Sequence, residues 1–143
     1  MTQRHWIQND HLMLITTVTR NRVPFFVDPS HAREAVECLY RVRALHPFRL
    51  HGFVVMPDHV HLLVFVPSPR TVPNVMCSYK AGLTFDIGIQ PLWQRRYHQK
   101  IVTSASVVLQ YIYLNPVRAG LCEMPRDYPW SSASGRWEVD ELN

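Results

Sequence analysis

The 143-residue chain lacks several features that would assign it to a special class of protein. No apolar run approaches the roughly 18 residues of a membrane-spanning helix, and the longest, Leu62–Val66, ends at Pro67. The polar segment Met1–His11 lacks the apolar core of a signal peptide. The three cysteines form no CxxC pair and no HExxH sequence occurs, so neither a disulfide framework nor a structural zinc site is expected. These absences predict a reduced, cytoplasmic protein.

Lysine and acidic residues are scarce beside arginine, which supplies 13 of the 15 basic side chains. Three of the 11 acidic residues, Glu138, Asp140 and Glu141, fall within the last six positions. The net charge of +4 therefore understates how basic residues 1–137 are. Because the planar guanidinium fork matches phosphate geometry, an acidic partner is suggested, although an arginine-rich genome and an ordinary solvated surface would give the same composition.

Length and composition predict a single domain over residues 1–143, with a core at about 11–132 and a polar tail at 133–143. Hydrophobic periodicity predicts a strand at His11–Thr19, a helix from Pro29 to Leu45, strands at Phe48–Met56 and His59–Val66, a helix at Thr71–Asp86 and a short strand at Tyr97–Val102. This order predicts an α+β, ferredoxin-like split βαβ fold. Two helices would cover one face of a four-stranded antiparallel sheet and leave the other face for function.

An additional C-terminal helix is predicted after this core. Ser104 is expected to cap it, and Pro116 is expected to end it near Asn115, because proline disfavours helical geometry in the residue before it. Tyr111 and Asn115 are four residues apart and hence about 40° apart around the helix axis. They could present a phenol and an amide oxygen to one point. Alternatively, Tyr111 is an amphipathic edge residue and Asn115 a helix stop.

The segment HGFVVMPDHVHLLVFV (residues 51–66) contains a histidine pair inside an otherwise apolar strand. Alternate side chains of a strand share a face, so His59 and His61 would project together about 7 Å apart. Val60, Leu62 and Val64 would point into the core. Neutral imidazoles are common ligands of divalent metals, and an added oxygen ligand would suit Mg²⁺ or Mn²⁺. Two solvated histidines without a role are the alternative.

Four ordered blocks of sequence resemble REP-associated tyrosine transposases, which are single-tyrosine nucleases with an HUH histidine pair. The blocks are HGFVVMPDHVHLLV, LWQRRYH, YIYLNPVRAGL and DYPWSS, beginning at residues 51, 92, 111 and 127. The resemblance implies that His59, His61 and Asn115 bind a divalent metal, Mg²⁺ or Mn²⁺. It also implies that Tyr111 is the nucleophile, which forms a 5′-phosphotyrosine link and releases a 3′-hydroxyl.

The same resemblance implies a partner and a surface that binds it. The partner would be single-stranded DNA with hairpins of the repetitive extragenic palindrome type, processed in the bacterial nucleoid by a monomer or a homodimer. The residues expected to contact DNA are Arg20, Arg22, Lys80, Trp93, Arg95, Arg96, Tyr97, His98, Lys100 and Arg118. Arginine and lysine would bind phosphates, and the aromatic rings would stack on unpaired bases.

Two other functions are compatible with parts of this pattern. A hairpin-binding regulatory module that does not cut DNA would keep the basic surface and the aromatic residues but would need neither metal nor Tyr111. A metallohydrolase of small phosphoesters would keep the metal but would need no tyrosine and would not explain the arginine excess. All four active-site positions that the resemblance implies are filled by suitable residue types, which favours a metal-dependent DNA endonuclease and strand transferase.

Overall fold

The computed structural model describes residues 7–142, so Met1–Trp6 of the polar segment Met1–His11 and the final Asn143 lie outside the described residues. Seven main elements follow one another: β1 (Leu12–Thr19), α1 (Pro29–Leu45), β2 (Arg49–Met56), β3 (His59–Phe65), α2 (Val72–Ile87), β4 (Trp93–Ile101) and α3 (Ala105–Arg118). None of the described helices is both long enough and apolar enough to cross a membrane.

The four strands form one antiparallel sheet in the order β2-β3-β1-β4. This order confirms the predicted ferredoxin-like, α+β architecture. The central strands β3 and β1 pair along seven residues, with Thr16 opposite His61 and Val18 opposite His59. The antiparallel register therefore sets which residues of β1 lie beside the histidine pair.

One face of the sheet builds the main core with α1 and α2. Val60, Leu62 and Val64 are fully buried there, as the alternation in β3 predicts. Asp28 accepts a hydrogen bond from the Ser30 backbone N–H at 2.9 Å and so caps α1, whose apolar residues recur at helical spacing. Burial of this face leaves the odd-numbered residues of β3, including both histidines, on the opposite side of the sheet, which we call the histidine face.

Helix α3 packs on that opposite face and covers part of it. Ile112 of α3 forms a second apolar cluster with Val54, Met56 and Leu63 of the sheet. Gly52 in β2 allows the close approach, because a Cβ at this position would lie 2.4 Å from Leu109 Cδ1. The face that the predicted fold leaves open is thus occupied by the helix that carries Tyr111.

Two element boundaries differ from the predictions by more than one residue. Strand β4 begins at Trp93, four residues before the predicted start at Tyr97, because Trp93 pairs with Thr19 across a bulge and is buried. Helix α3 continues through Pro116 to Arg118 instead of ending near Asn115. The ring of Pro116 is buried, and its carbonyl accepts a hydrogen bond from the Leu121 N–H at 2.9 Å, so helical geometry persists for one more turn.

The Ser104 cap is also only partly as predicted. Ser104 occupies the N-cap position, but its side chain makes no capping hydrogen bond. Its backbone carbonyl instead accepts a hydrogen bond from the Val108 N–H at 3.3 Å.

The polar tail is attached along the outer strand β2. The Asp140 N–H donates to the Leu50 carbonyl at 2.8 Å, and the Leu50 N–H donates to Asp140 Oδ2 at the same distance. The Trp137 indole N–H donates to the Pro129 carbonyl at 2.8 Å. The tail therefore pairs with the backbone groups of an edge strand that would otherwise face solvent.

We expect Ile112→Ala to lower the free energy of unfolding by about 2–5 kcal/mol, because it removes the buried side chain that joins α3 to the sheet. Val107→Ala is the matched control, since Val107 lies on the same helix but is 63% exposed. Urea unfolding followed by circular dichroism measures both. Equal, small losses in the two variants would contradict the assigned packing of α3.

Candidate active site

His59 and His61 form a compact pair on the α3 side of the sheet. Their ring centroids lie 4.7 Å apart in an edge-to-face arrangement, with 79° between the ring planes. His61 is buried and His59 is partly exposed. The predicted shared face is therefore observed, and the pair lies at the edge of the surface that α3 covers.

The orientation of His59 is set by the carboxylate of Asp58 in the β2–β3 turn. His59 Nδ1–H donates to Asp58 Oδ1 at 2.6 Å, and Arg22 donates to Asp58 Oδ2 at 3.2 Å. Burial alone would raise the pKa of Asp58, but the hydrogen bonds and charges of His59 and Arg22 outweigh it and keep this pKa below its ordinary value. Asp58 is therefore ionised at neutral pH, and the imidazole of His59 is held with Nε2 available.

The orientation of His61 is set by Thr16 on the neighbouring strand. Thr16 Oγ1 and His61 Nδ1 share a hydrogen bond of 2.8 Å. Burial, and secondarily the charge of His59, lowers the pKa of His61 to about 4, so its ring is neutral at neutral pH. In the tautomer whose Nδ1–H donates to Thr16, Nε2 carries the lone pair that a metal ligand requires.

Tyr111 lies beside the histidine pair, although it is 50 positions later in the sequence than His61. The rings of His61 and Tyr111 are 5.4 Å apart between centroids, at 67° to each other. Tyr111 is 41% exposed, so its ring contacts the site and also remains open to solvent. Asn115 follows one helical turn later and is half-buried, whereas the Tyr113 hydroxyl accepts a hydrogen bond from Ser132 at 3.2 Å, away from the histidines.

The donor set fits a divalent cation with mixed nitrogen and oxygen ligands. Within residues 7–142, no hydrogen bond engages Nε2 of His59 or His61, and each ring is held through Nδ1 as metal-binding histidines commonly are. No group of three His, Cys, Asp or Glu side chains in this part of the chain is placed to hold a metal ion. A cation at the pair would therefore need the amide oxygen of Asn115 or oxygen atoms from substrate and water.

Six of the predicted DNA contacts are exposed: Arg22, Arg95, Arg96, His98, Lys100 and Arg118. On strand β4, His98 pairs with Thr16 and Lys100 with Leu14, so both lie on the same sheet face as the histidine pair. Because Thr16 also pairs with His61, the residues His61, Thr16 and His98 form one row across three strands.

Four predicted contacts are not exposed: Arg20, Lys80, Trp93 and Tyr97. Trp93 and Tyr97 are buried in the main core, where the Trp93 ring lies 5.7 Å from Phe26 and 6.1 Å from Tyr79 between centroids. Neither ring is presented to an unpaired base, so the stacking role expected for these two residues does not match their positions.

Three predicted phosphate contacts make internal hydrogen bonds. Lys80 donates to the carbonyls of Gln94 and Arg95 at 2.8 and 3.2 Å, and burial lowers the pKa of its ammonium group. Arg20 donates through Nε to the Pro91 carbonyl at 2.9 Å, and Arg22 pairs with Asp58 as described above. The hydrogen bonds of these three cations hold the start of β4 and the β2–β3 turn in place.

Two residues that orient the histidines, Asp58 and Thr16, are not among those predicted from the sequence. Asp58 directly precedes His59, so a carboxylate next to the histidine pair was a readable signal. Thr16 lies 45 positions from His61, and only the register of β1 against β3 brings the two together.

We expect Thr16→Val to lower the free energy of unfolding by about 1–3 kcal/mol, because it leaves Nδ1 of the buried His61 without its partner. Thr16→Ser keeps the hydroxyl and is the control, with a smaller loss expected. Urea unfolding at pH 7 measures both variants. A larger loss for Ser than for Val would show that the methyl group, rather than the hydrogen bond, matters at this position.

A known protein family matches the part of the chain that contains all four strands and α3 up to Asn115. The family model described as "Transposase IS200 like" matches residues 8–115. The REP-associated tyrosine transposase of Escherichia coli strain K12 is 25% identical over 111 residues, which cover 71% of this chain and 67% of that protein. A Haemophilus influenzae protein, named as a candidate REP-associated tyrosine transposase, is 29% identical over 105 residues, covering 61% of this chain and 60% of that protein.

The fold also matches a solved structure of a REP-associated tyrosine transposase bound to a REP hairpin. The TM-score is 0.78 at 23% sequence identity, and the match covers 99% of this chain and 90% of that one. The resemblance stated from the four sequence blocks is thereby confirmed, and a transposase family implies a DNA-processing enzyme. Since the family model covers well over half of its residues, the chain belongs to the IS200-like transposase family.

Proposed function

We propose that the protein is a metal-dependent single-stranded DNA endonuclease and strand transferase that cleaves next to palindromic hairpins. The observation that supports this most is the contact between the rings of His61 and Tyr111, 5.4 Å apart between centroids. It joins a metal-ligating residue type to a potential nucleophile from a separate element. The two residues meet within one chain, which supports a site built by a single protomer.

His59 and His61 would hold Mg²⁺ or Mn²⁺ through Nε2, and the amide oxygen of Asn115 would complete the protein ligands. Bound there, the ion would polarise a phosphoryl oxygen as a Lewis acid. Asp58 and Thr16 would keep the two imidazoles in the ligating tautomer, as hydrogen-bond partners of metal ligands generally do. The neutral state of His61 means that no proton has to leave this ring before it binds.

Tyr111 would act as the nucleophile. Its phenolic oxygen would form a bond to phosphorus while the bond from phosphorus to the 3′-oxygen breaks. The phenolic proton would pass to solvent, and the departing 3′-oxygen would take a proton from solvent. The products are a 5′-phosphotyrosine and a free 3′-hydroxyl. Attack by another 3′-hydroxyl would break the bond from phosphorus to the tyrosine oxygen, release the phenol and join new ends, with no external energy source. Because Ile112 packs α3 on the sheet, the tyrosine would already be positioned before DNA binds.

The exposed basic residues on the histidine face would bind the DNA. His98 and Lys100 lie on the histidine face in strand β4, and Arg118 lies in the last turn of α3. The structural relative is bound to a REP hairpin, and hairpins of this type are the proposed partner here. Binding through phosphates would weaken steeply as salt increases.

We expect Tyr111→Phe to bind hairpin DNA as the parent protein does but to form no covalent adduct, because only the phenolic oxygen is removed. The assay mixes protein with labelled single-stranded hairpin oligonucleotides and Mn²⁺ and resolves the products on denaturing gels. Tyr113→Phe is the matched control, since Tyr113 lies on the same helix away from the histidines.

An adduct that needs metal, disappears in Tyr111→Phe and persists in Tyr113→Phe would support the proposal. Adduct or cleavage retained in Tyr111→Phe would move the nucleophile elsewhere. Hairpins that shift on a native gel and never form an adduct with the parent protein would favour the binding module that does not cut DNA.

We expect His59→Ala and His61→Ala each to weaken Mn²⁺ binding by more than about tenfold, because each removes one proposed ligand. Isothermal titration calorimetry measures the affinity, and circular dichroism confirms that the variants are folded. His11→Ala is the control, since His11 is exposed and lies outside β3. Unchanged Mn²⁺ affinity in both active-site variants would contradict the proposed metal site.

A further inference from the structure

A surface hollow of about 560 Å³ lies between the C-terminal half of α2 and the beginning of β4. It is separate from the histidine face, because Trp93 and the helices α1 and α2 belong to the main core on the other side of the sheet. Its walls include Lys80, Phe85, Gln90, Trp93 and Gln94. Lys80 and Trp93 are among the DNA contacts predicted from the sequence, but the proposed active site does not use this hollow.

An exposed aromatic ring and two amide side chains border the hollow. Phe85 is 86% exposed, the highest value among the large apolar residues in the described part of the chain. Gln90 and Gln94 are exposed beside it. The buried indole N–H of Trp93, which also lines the hollow, has no acceptor within residues 7–142. A flat apolar ring with amide donors and acceptors next to it is a suitable surface for a nucleobase.

The charge around the hollow is positive. No acidic residue lines it in the described part of the chain, and the nearby Asp86 is paired with Arg41 at 2.6 Å. The Lys80 ammonium group is held at the wall by two carbonyls of β4, and Arg20 is bonded to the Pro91 carbonyl of the wall. An anionic ligand with an aromatic ring would therefore be attracted by the positive charges of Lys80 and Arg20.

The hollow lies at the same end of the sheet as the histidine pair. Thr19 connects the two, because it pairs with Trp93 on one side and donates from its N–H to the Asp58 carbonyl at 2.9 Å on the other. Trp93 and the start of β3 are thus two strand spacings apart, about 10 Å. A DNA strand could therefore reach the hollow from the histidines by passing around this end of the sheet.

We propose that this hollow binds one unpaired nucleotide of the single-stranded DNA that flanks the cleavage position. The base stacks on Phe85, the amides of Gln90 and Gln94 contact its edge, and the positive charge of Lys80 and Arg20 favours the adjoining phosphate. The inference rests on the proposed function in that the ligand is single-stranded DNA, but it does not require cleavage. It assigns a role to the most exposed aromatic ring in the described residues.

The test measures binding of fluorescein-labelled hairpin oligonucleotides with single-stranded flanks by fluorescence anisotropy. All proteins carry Tyr111→Phe, so that no cleavage changes the substrate. Phe85→Ala is compared with Leu45→Ala, since Leu45 is also an exposed apolar residue at 70% but lies at the end of α1. Both substitutions remove exposed side chains, and neither is expected to disturb the core. A scan replaces one flank nucleotide at a time by an abasic unit.

We expect Phe85→Ala to weaken binding by about fivefold or more, the lower end of what one base–aromatic stack contributes, and Leu45→Ala to change it by less than about twofold. When the nucleotide that stacks on Phe85 is replaced by an abasic unit, the protein that keeps Phe85 should lose affinity by the same factor. With that oligonucleotide, Phe85→Ala should cause no further loss. Free deoxynucleoside monophosphate added in excess should compete weakly, because only the polymer also occupies the histidine face.

Equal binding by Phe85→Ala and the parent, additive losses at every abasic position, or no binding of any oligonucleotide would each overturn the proposal. The outcome is independent of the adduct assay. If the coupling between Phe85 and one flank position is found but the protein with an intact Tyr111 forms no adduct, the hollow is a nucleotide site and the proposed cleavage chemistry is wrong.

Discussion

The position of Tyr111 depends on one packing interaction, the contact of α3 with the sheet face opposite α1 and α2. The helix has only two buried residues, Ile112 and Pro116, and they lie in the turn that contains Tyr111 and Asn115. The absence of a side chain at Gly52 lets Leu109 approach the strand. A short apolar contact therefore determines where a phenol from one element meets an imidazole from another, while most of the helix stays accessible to a ligand.

The register of the sheet then determines how the histidines are presented. Thr16 and Asp58 contact the two rings from different directions, one from the central strand and one from the turn before β3. Both contacts use Nδ1, and both leave Nε2 without a partner in the described residues. A shift of one residue in the pairing of β1 with β3 would turn the histidines into the main core, so burial of the apolar residues Val60 and Leu62 also fixes the face on which the histidines lie.

Periodicity predicted the elements that have one buried and one open face, and it failed where this alternation is interrupted. The histidine face could be inferred because β3 is regular, whereas three exposed residues after Trp93 concealed the start of the edge strand β4. The sequence shows that Trp93 and Tyr97 follow the second helix, but only the tertiary packing shows that both rings are buried. Thr16 could not be found locally, because its partner is distant in sequence. Helix α3 continues through the buried Pro116 to Arg118, whereas the local preference of proline predicts an end before it.

The turn after β1 connects the histidine pair to the hollow at the edge of the sheet. Asn21 and Arg22 have positive φ angles of 53° and 52°, a region that is unfavourable for residues with a side chain. The flanking contacts maintain this conformation: Arg20 bonds to the Pro91 carbonyl on one side, and Arg22 bonds to Asp58 on the other. Two arginines separated by one residue thus hold the walls of two different surfaces. Their hydrogen bonds within the protein fix the distance between these two surfaces, and a DNA strand bound to both would have to span that distance. The two arginines that the sequence suggested as DNA contacts therefore stabilise the shape of this end of the sheet.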